Sequence, residues 1–469
     1  MTQAAILLVA ATLGAVALGV FVQWERNGKE HYAVVLLLAL LVIETSLYEN
    51  QDNMPRDLFH PGSGSFEFRL PEILITLALL ARLLVRGRAA RVGMPALVWG
   101  AFGAWILVAL VEGILRHNDL TQIPYEGKAV VYVVGGYALA AGVPVQRYFE
   151  GRALERLVRL AAVPATVVTV LTAAHKVFVV HLPLLPLPDF GVDGSDAATI
   201  FAALGLLGLL LELAKEKRSP LTLAACVPLL LSPFFSDQRA VLVMLGAAVS
   251  VVLVVAIGAT ARRRLRVRAT EVLLSALAVV GVVLGVAVVP AVQSEHPVRL
   301  PLSATIAHTF NTEGKIESAE DRASKWEVAF TYIRRHPIIG NGLGLEFSYF
   351  NPGPNTFAMT DVTENIGLDL WLRAGLIGLG LFFLALLWSV FDGLVAWRLH
   401  PDRMVAVLAL GLVAVVVGIV AKGMVESIFE KYRLATMLGL SLGLLRSAVT
   451  SAGGSRLALV RTHAYGEMV

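Results

Sequence analysis

Runs of apolar residues, each nearly free of charge, recur along the whole chain. They fall at 3–23, 32–47, 70–85, 94–115, 128–145, 157–180, 196–213, 221–235, 240–260, 271–292, 365–395, 404–424 and 434–447. A helix of about 20 such residues is long enough to cross a bilayer core. The pattern therefore predicts an all-α fold: a polytopic membrane helical bundle of 12–13 transmembrane helices, the last run being short. The first run lacks a basic flank and a small-residue cleavage site, so it is expected to be a retained helix. No period of 20–50 residues repeats along the chain, which argues against a solenoid.

The polar stretches between the runs alternate in charge. "RGRAARV" (86–92), "QRYFEGRALERLVR" (146–159), "KEKR" (215–218), "RRRLRVR" (262–268) and "RLHPDR" (398–403) are basic, as is the tail with Arg446, Arg456 and Arg461. The stretches 48–57, 188–196 and 293–363 are neutral or acidic. Positive loops stay in the cytoplasm, so the C-terminus is expected inside and the long 293–363 segment outside. The organisation expected is an N-terminal transmembrane bundle (1–292), an extracytoplasmic loop (293–363), C-terminal transmembrane helices (364–447) and a cytoplasmic tail (448–469).

Within the long loop, residues 318–336 have the pattern of one amphipathic helix. Ser318 is placed as its N-cap, and Glu320 and Asp321 sit where negative charge suits the helix dipole. Arg322, Trp326, Phe330 and Ile333 recur at helical spacing and share a face, which is expected on the membrane surface or against the bundle. Pro337 ends the helix, and Gly340, Gly342 and Gly344 supply a tight turn. "NPGPN" (351–355) is a second turn signal.

Composition agrees: 57% of residues are hydrophobic and 16% charged, and the mean hydropathy is +0.73. The single cysteine, Cys226, excludes an intramolecular disulfide and a cysteine-based metal site. The net charge of +4 resides in short loops and does not indicate nucleic-acid binding. No metal-binding motif is present, so a metal-independent site without cofactor is expected.

The candidate chemistry lies toward the outer side. Arg239, after "PFFSDQ", is either an interfacial arginine that snorkels to headgroups or a cation for a phosphate ligand. Arg322 either pairs with Glu317, Glu320 or Asp321 or serves the same anion. Glu364, opening a helix, either satisfies the helix dipole or acts as a base, partial burial raising its proton affinity. Asp369 with Arg373 and Lys422 with Glu426 are intramembrane charges one helical turn apart, each couple either a structural pair or a functional candidate, and His175, Lys176, Glu126 and Lys128 lie near the outer boundary, where they could line an acceptor path.

The order of these pieces resembles the O-antigen ligase and polymerase family over residues 232–387. Arg322, Trp326, His336-Pro337, Gly340, Gly342 and "RAGLIG" (373–378) match its late region, and "SDQRAVLVML" (236–245) matches its arginine-bearing turn. Glu364-Asn365 stands where the family usually carries His-Asn. The resemblance implies a glycosyltransferase that takes a saccharide from a polyprenyl diphosphate, on the outer side of a bacterial cytoplasmic membrane, to a glycan or glycolipid acceptor. It implies Glu364 as base, Arg239 and Arg322 as diphosphate ligands, and Trp326, His336, Gly340, Gly342 and Asn365 as supports. A repeat-unit polymerase of the same family and a transporter or flippase of lipid-linked sugars remain as alternatives.

Overall fold

The structure is a computed structural model that describes residues 3–47, 69–87, 94–149, 152–178, 195–235, 239–261, 313–351, 355–429 and 431–466. It is an all-α membrane bundle. The helices are α1 (Gln3–Arg26), α2 (His31–Leu47), α3 (Leu70–Arg86), α4 (Met94–Leu115), α5 (Gln122–Val130), α6 (Gly136–Ala141) and α7 (Ala153–Phe178). They continue as α8 (Ser195–Ala214), α9 (Pro220–Phe235), α10 (Arg239–Ala261), α11 (Glu313–Arg335), α12 (Ile366–Leu399), α13 (Arg403–Gly423) and α14 (Tyr432–Gly466). Among the described residues, six helices are long and apolar enough to cross a membrane, within α4, α8, α10, α12, α13 and α14. The predicted run 271–292 lies outside the described residues.

Helix α13 is buried along most of its length and packs against α8, α10, α12 and α14. Small residues let helices approach where leucine would hold them apart. A Cβ on Gly439 of α14 would lie 2.5 Å from the Val133 carbonyl, so α14 lies directly on the backbone of the α5–α6 segment. That segment runs without interruption from Gln122 to Ala141, with a π turn at Val131–Gly135 joining its two halves. Tyr132 in this turn donates to the Glu72 carboxylate on α3.

Charged contacts mark the two ends of the bundle. At one end Arg82 and Arg86 pair with Glu25 at 2.8 Å, and Arg403 donates to the last turn of α8. At the other, Arg69 stacks on Tyr125 and Tyr432, Lys422 lies near Asp196 and Glu426, and Asn365 donates to the Met424 carbonyl. The starts of α3, α5, α8, α12 and α14 therefore meet at one end, and the predicted site residues of α11 and α12 lie there.

Four elements differ from the sequence reading. Helix α11 begins at Glu313, so Ser318 lies inside it and not at its N-cap position, because the "EGKIE" stretch continues the helix backward. Two strands, β1 (Phe347–Asn351) and β2 (Thr356–Thr360), pair antiparallel as a hairpin around the stretch where only a turn was expected. The apolar run 365–395 is helix α12, but it is broken at Gly375 (φ 67°, ψ −174°). Helix α14 also continues well past 447, into the stretch assigned to the tail.

Candidate active site

The break in α12 leaves backbone groups without their helical partners. Such groups must find partners within the protein. The stretch "HPIIGNGLG" supplies them. The amide of Asn341 donates to the Leu372 carbonyl (2.8 Å), and that of Gly342 to the Arg373 carbonyl (3.0 Å). The Asn341 side-chain amide also reaches Leu372 O (3.0 Å), and Trp105 Nε1 takes the Ala374 carbonyl (2.7 Å). On the far side of the break, the amides of Leu376 and Ile377 donate to Pro337 and Ile338 carbonyls at 2.9 and 3.3 Å. The loop is a plug fitted backbone to backbone into a kinked helix. Gly340, at φ +91°, has no room for a side chain: a Cβ would sit 2.3 Å from Arg373 O. The expected turn is real, but the break that receives it was not foreseen.

Above the plug, α11 descends beside the first turns of α12. Ala329, Ile333, Phe347 and Leu372 form a small core that also holds the hairpin. The helix thereby presents its N-terminal part to the turn before α12. Trp326 Nε1 donates to the Thr363 carbonyl (2.8 Å). Asn365 caps α12, its side-chain oxygen accepting from Gly367 and Leu368 amides. Thr363 is fixed from below by Asp369, which accepts from its amide (2.9 Å) and its hydroxyl (2.7 Å).

Between these anchors Glu364 takes a left-handed conformation (φ 57°), uncommon for a residue with a side chain. Its carboxylate meets two cations: Arg322 Nε at 2.8 Å and Lys325 Nζ at 2.7 Å. Lys325 also pairs with Asp321 (2.8 Å) and lies over the Tyr349 ring (5.1 Å). Partial burial pushes the Glu364 pKa up, but the hydrogen bonds from Lys325 and Arg322 outweigh it, and the net shift is downward. This corrects the expectation that burial would raise it: two cations on one carboxylate stabilise its charged form. Lys325 is moved the other way, up to about 12, as its bonds to Asp321 and Glu364 overcome the cost of burial.

A second network lies beneath. Arg373 pairs with Glu126 (2.8 Å), lies 3.7 Å from Asp369 and donates to the Asp361 carbonyl. Glu126 in turn accepts from the amide of Gly344 at the end of the plug (2.8 Å). The side chains of Tyr125, Glu126, Asp369, Arg373 and Phe429 line a cavity of about 40 Å³ here. The expected pairing of Arg373 with Asp369 is thus the weaker of its carboxylate contacts, because Glu126 on α5 comes closer.

Of the sequence-predicted residues, the fold brings Arg322, Trp326, Glu364 and Asn365 together, with Gly340 and Gly342 in the plug below. His336 is half-buried at the end of α11, its amide bonded to Tyr332 and Ile333 carbonyls and its carbonyl accepting from Gly340. Arg239 opens α10; its side chain lies outside the described residues, as do those of His175 and Lys176. Gly418 packs on the Met244 backbone and Gly423 on Ile366, so α10 begins at the same end as Glu364. Lys325 was missed. It follows Asp321 by four residues and reads as a surface ion pair, yet it is buried on the face counted from Arg322 and Ile333.

A comparison with curated proteins gives no match. The model of the family described as O-antigen ligase matches residues 224–383, a stretch that takes in most of α9, then α10, α11, the plug, the hairpin and the Glu364 turn, so this region of the chain is similar to the O-antigen ligase family.

Proposed function

We propose that the protein is a glycosyltransferase that moves a saccharide from a polyprenyl diphosphate to an acceptor hydroxyl, with Glu364 as general base. The observation that carries this reading is the carboxylate of Glu364 held between Arg322 and Lys325. A diphosphate is a stronger ligand for both cations than one carboxylate is. Its arrival draws Arg322 and Lys325 away from Glu364. The hydrogen bonds that hold the proton affinity of Glu364 down are then lost, and burial, which raises it, remains. Glu364 becomes a competent base only when donor is bound.

The acceptor O–H attacks the anomeric carbon and gives its proton to Glu364. A new C–O bond forms as the bond from that carbon to the diphosphate oxygen breaks, and polyprenyl diphosphate leaves with the electron pair. Arg322 and Lys325 meet the charge that grows on the leaving oxygen, and Arg239 is proposed as a third cation from α10. A single displacement inverts the anomeric centre. The chemistry as proposed draws on side chains alone and needs no metal. Helix α11 and the hairpin would roof the reaction and keep water from the donor. Under the positive-inside rule the site end of the bundle faces outside the cytoplasmic membrane.

The test is donor consumption by purified protein in liposomes, with a lipid-diphosphate oligosaccharide, an envelope lipid fraction as acceptor, and release of polyprenyl diphosphate as readout. Wild type should release it; Glu364→Gln and Arg322→Ala, of unchanged elution profile, should not. Product length separates transfer to a distinct acceptor from repeat-unit polymerisation. A well-folded wild type that releases nothing from any of several donors would sink the enzymatic reading in favour of transport.

A further inference from the structure

The plug begins with residues that the site does not use. Arg334 and Arg335 end α11 and are exposed. The next apolar residues, Ile338 and Ile339, are 59% and 46% exposed, an unusual placement for isoleucines within a loop that otherwise seals a helix break. They adjoin Leu376 and Ile377, which are 54% and 38% exposed on α12 and bonded through their amides to Pro337 and Ile338. Below these, α12 exposes Leu384, Leu387 and Phe391. The isoleucines thus extend an apolar stripe on a membrane-spanning helix, which says what covers them: lipid.

The depth is consistent. Residues 376–399 of α12 would be about 36 Å long at the helical rise, enough to fill a hydrocarbon core of roughly 30 Å. The break at Gly375 then falls near the headgroups, with Trp371 just above it, its Nε1 donating to the Pro337 carbonyl (3.0 Å). Tryptophan favours that level. Arg334 and Arg335 flank the same turn, and Arg335 lies 5.4 Å from the Tyr332 ring.

We infer that Arg334–Ile339 is a binding site for an anionic phospholipid, with Arg334 and Arg335 on the headgroup phosphate and the acyl chain over Ile338, Ile339, Leu376 and Ile377. The donor's own diphosphate is the wrong occupant. Arg334 lies about 18 Å along α11 from Arg322, too far for a diphosphate whose anomeric carbon is at Glu364. The lipid fixes the lower end of the helix whose upper end carries Arg322 and Lys325. Its influence on catalysis rests on the function proposed above; its binding does not.

The experiment is thermal unfolding of the delipidated full chain in neutral detergent, with phosphatidylglycerol or phosphatidylcholine added. Phosphatidylglycerol should raise the Tm of wild type and phosphatidylcholine should not, and the rise should shrink with salt. The double variant Arg334→Gln, Arg335→Gln should keep the wild-type Tm without lipid and lose the rise. Ile338→Ser with Ile339→Ser should weaken it. Equal shifts from both lipids, a full shift in the arginine double variant, or the same shift from inorganic phosphate would each overturn the site. Displacement of phosphatidylglycerol from these arginines by polyprenyl diphosphate would reassign it to the donor. Transferase rate is measured separately on the same variants, so an inactive protein that still binds the lipid would fault only the proposed function.

Discussion

At the scale of single residues, the site turns on how one carboxylate is shared. Glu364 occupies a backbone region that costs on the order of 1–3 kcal/mol, and the contacts around it are what hold it there: Trp326 and Asp369 on Thr363, and the Asn365 cap on α12. Its lowered pKa in the free protein follows from its two cations. Lys325→Met keeps the apolar stem and removes one of them. The acid limb of kcat/KM, which reports the free protein, should then move to higher pH, because a bond favouring the carboxylate is lost. KM for donor should rise about tenfold, the cost of one charge-assisted hydrogen bond. An unmoved acid limb in a variant with raised KM would mean that Glu364 is not the titrating base.

At the scale of elements, the sequence shows the plug but not its socket. Pro337 and three glycines announce a turn by themselves, since each restricts or frees the backbone locally. The break in α12 has no such local signature. Gly375 sits in "RAGLIGLGLF", where three glycines look alike, and only the partner loop 30-odd residues upstream in the chain decides which one opens. Substitution separates them. Gly340→Ala forces a Cβ against the Arg373 carbonyl at positive φ and should destabilise by about 2–4 kcal/mol. Gly380→Ala, with nothing within 4 Å of its Cβ, should be neutral or slightly stabilising. Thermal unfolding in detergent measures both, and equal Tm values would refute the fitted plug. The hairpin was legible in principle. "FSYFN" alternates buried Phe347 and Tyr349 with exposed Ser348 and Phe350, a period of two that helix-minded reading of a membrane protein passes over. Lys325 was hidden for the opposite reason: its spacing from Asp321 fits a surface pair equally well, and only the packed hairpin shows that it is covered.

At the scale of the molecule, the remaining question is which way the bundle points. Hydrophobic period alone gives helices without direction. Direction comes from the excess of arginine and lysine in alternate polar stretches of the sequence. In the fold each end pairs both signs, Arg86 with Glu25 and Glu30 at the end away from Glu364, and Lys422 and Lys431 with Asp196 and Glu426 at the other, so the orientation has to be measured. A donor displayed outside can be used only if the second end faces out. The chain carries its own control, because its sole cysteine, Cys226, is buried and should give no background with a membrane-impermeant maleimide. Ser348→Cys places a thiol on the exposed face of the hairpin, and Pro401→Cys places one between α12 and α13 at the opposite end. In intact cells the reagent should label the first and spare the second until the membrane is permeabilised. The reverse pattern would put Arg322, Lys325 and Glu364 in the cytoplasm, and a transferase working on an outward-displayed donor could not be built from this fold.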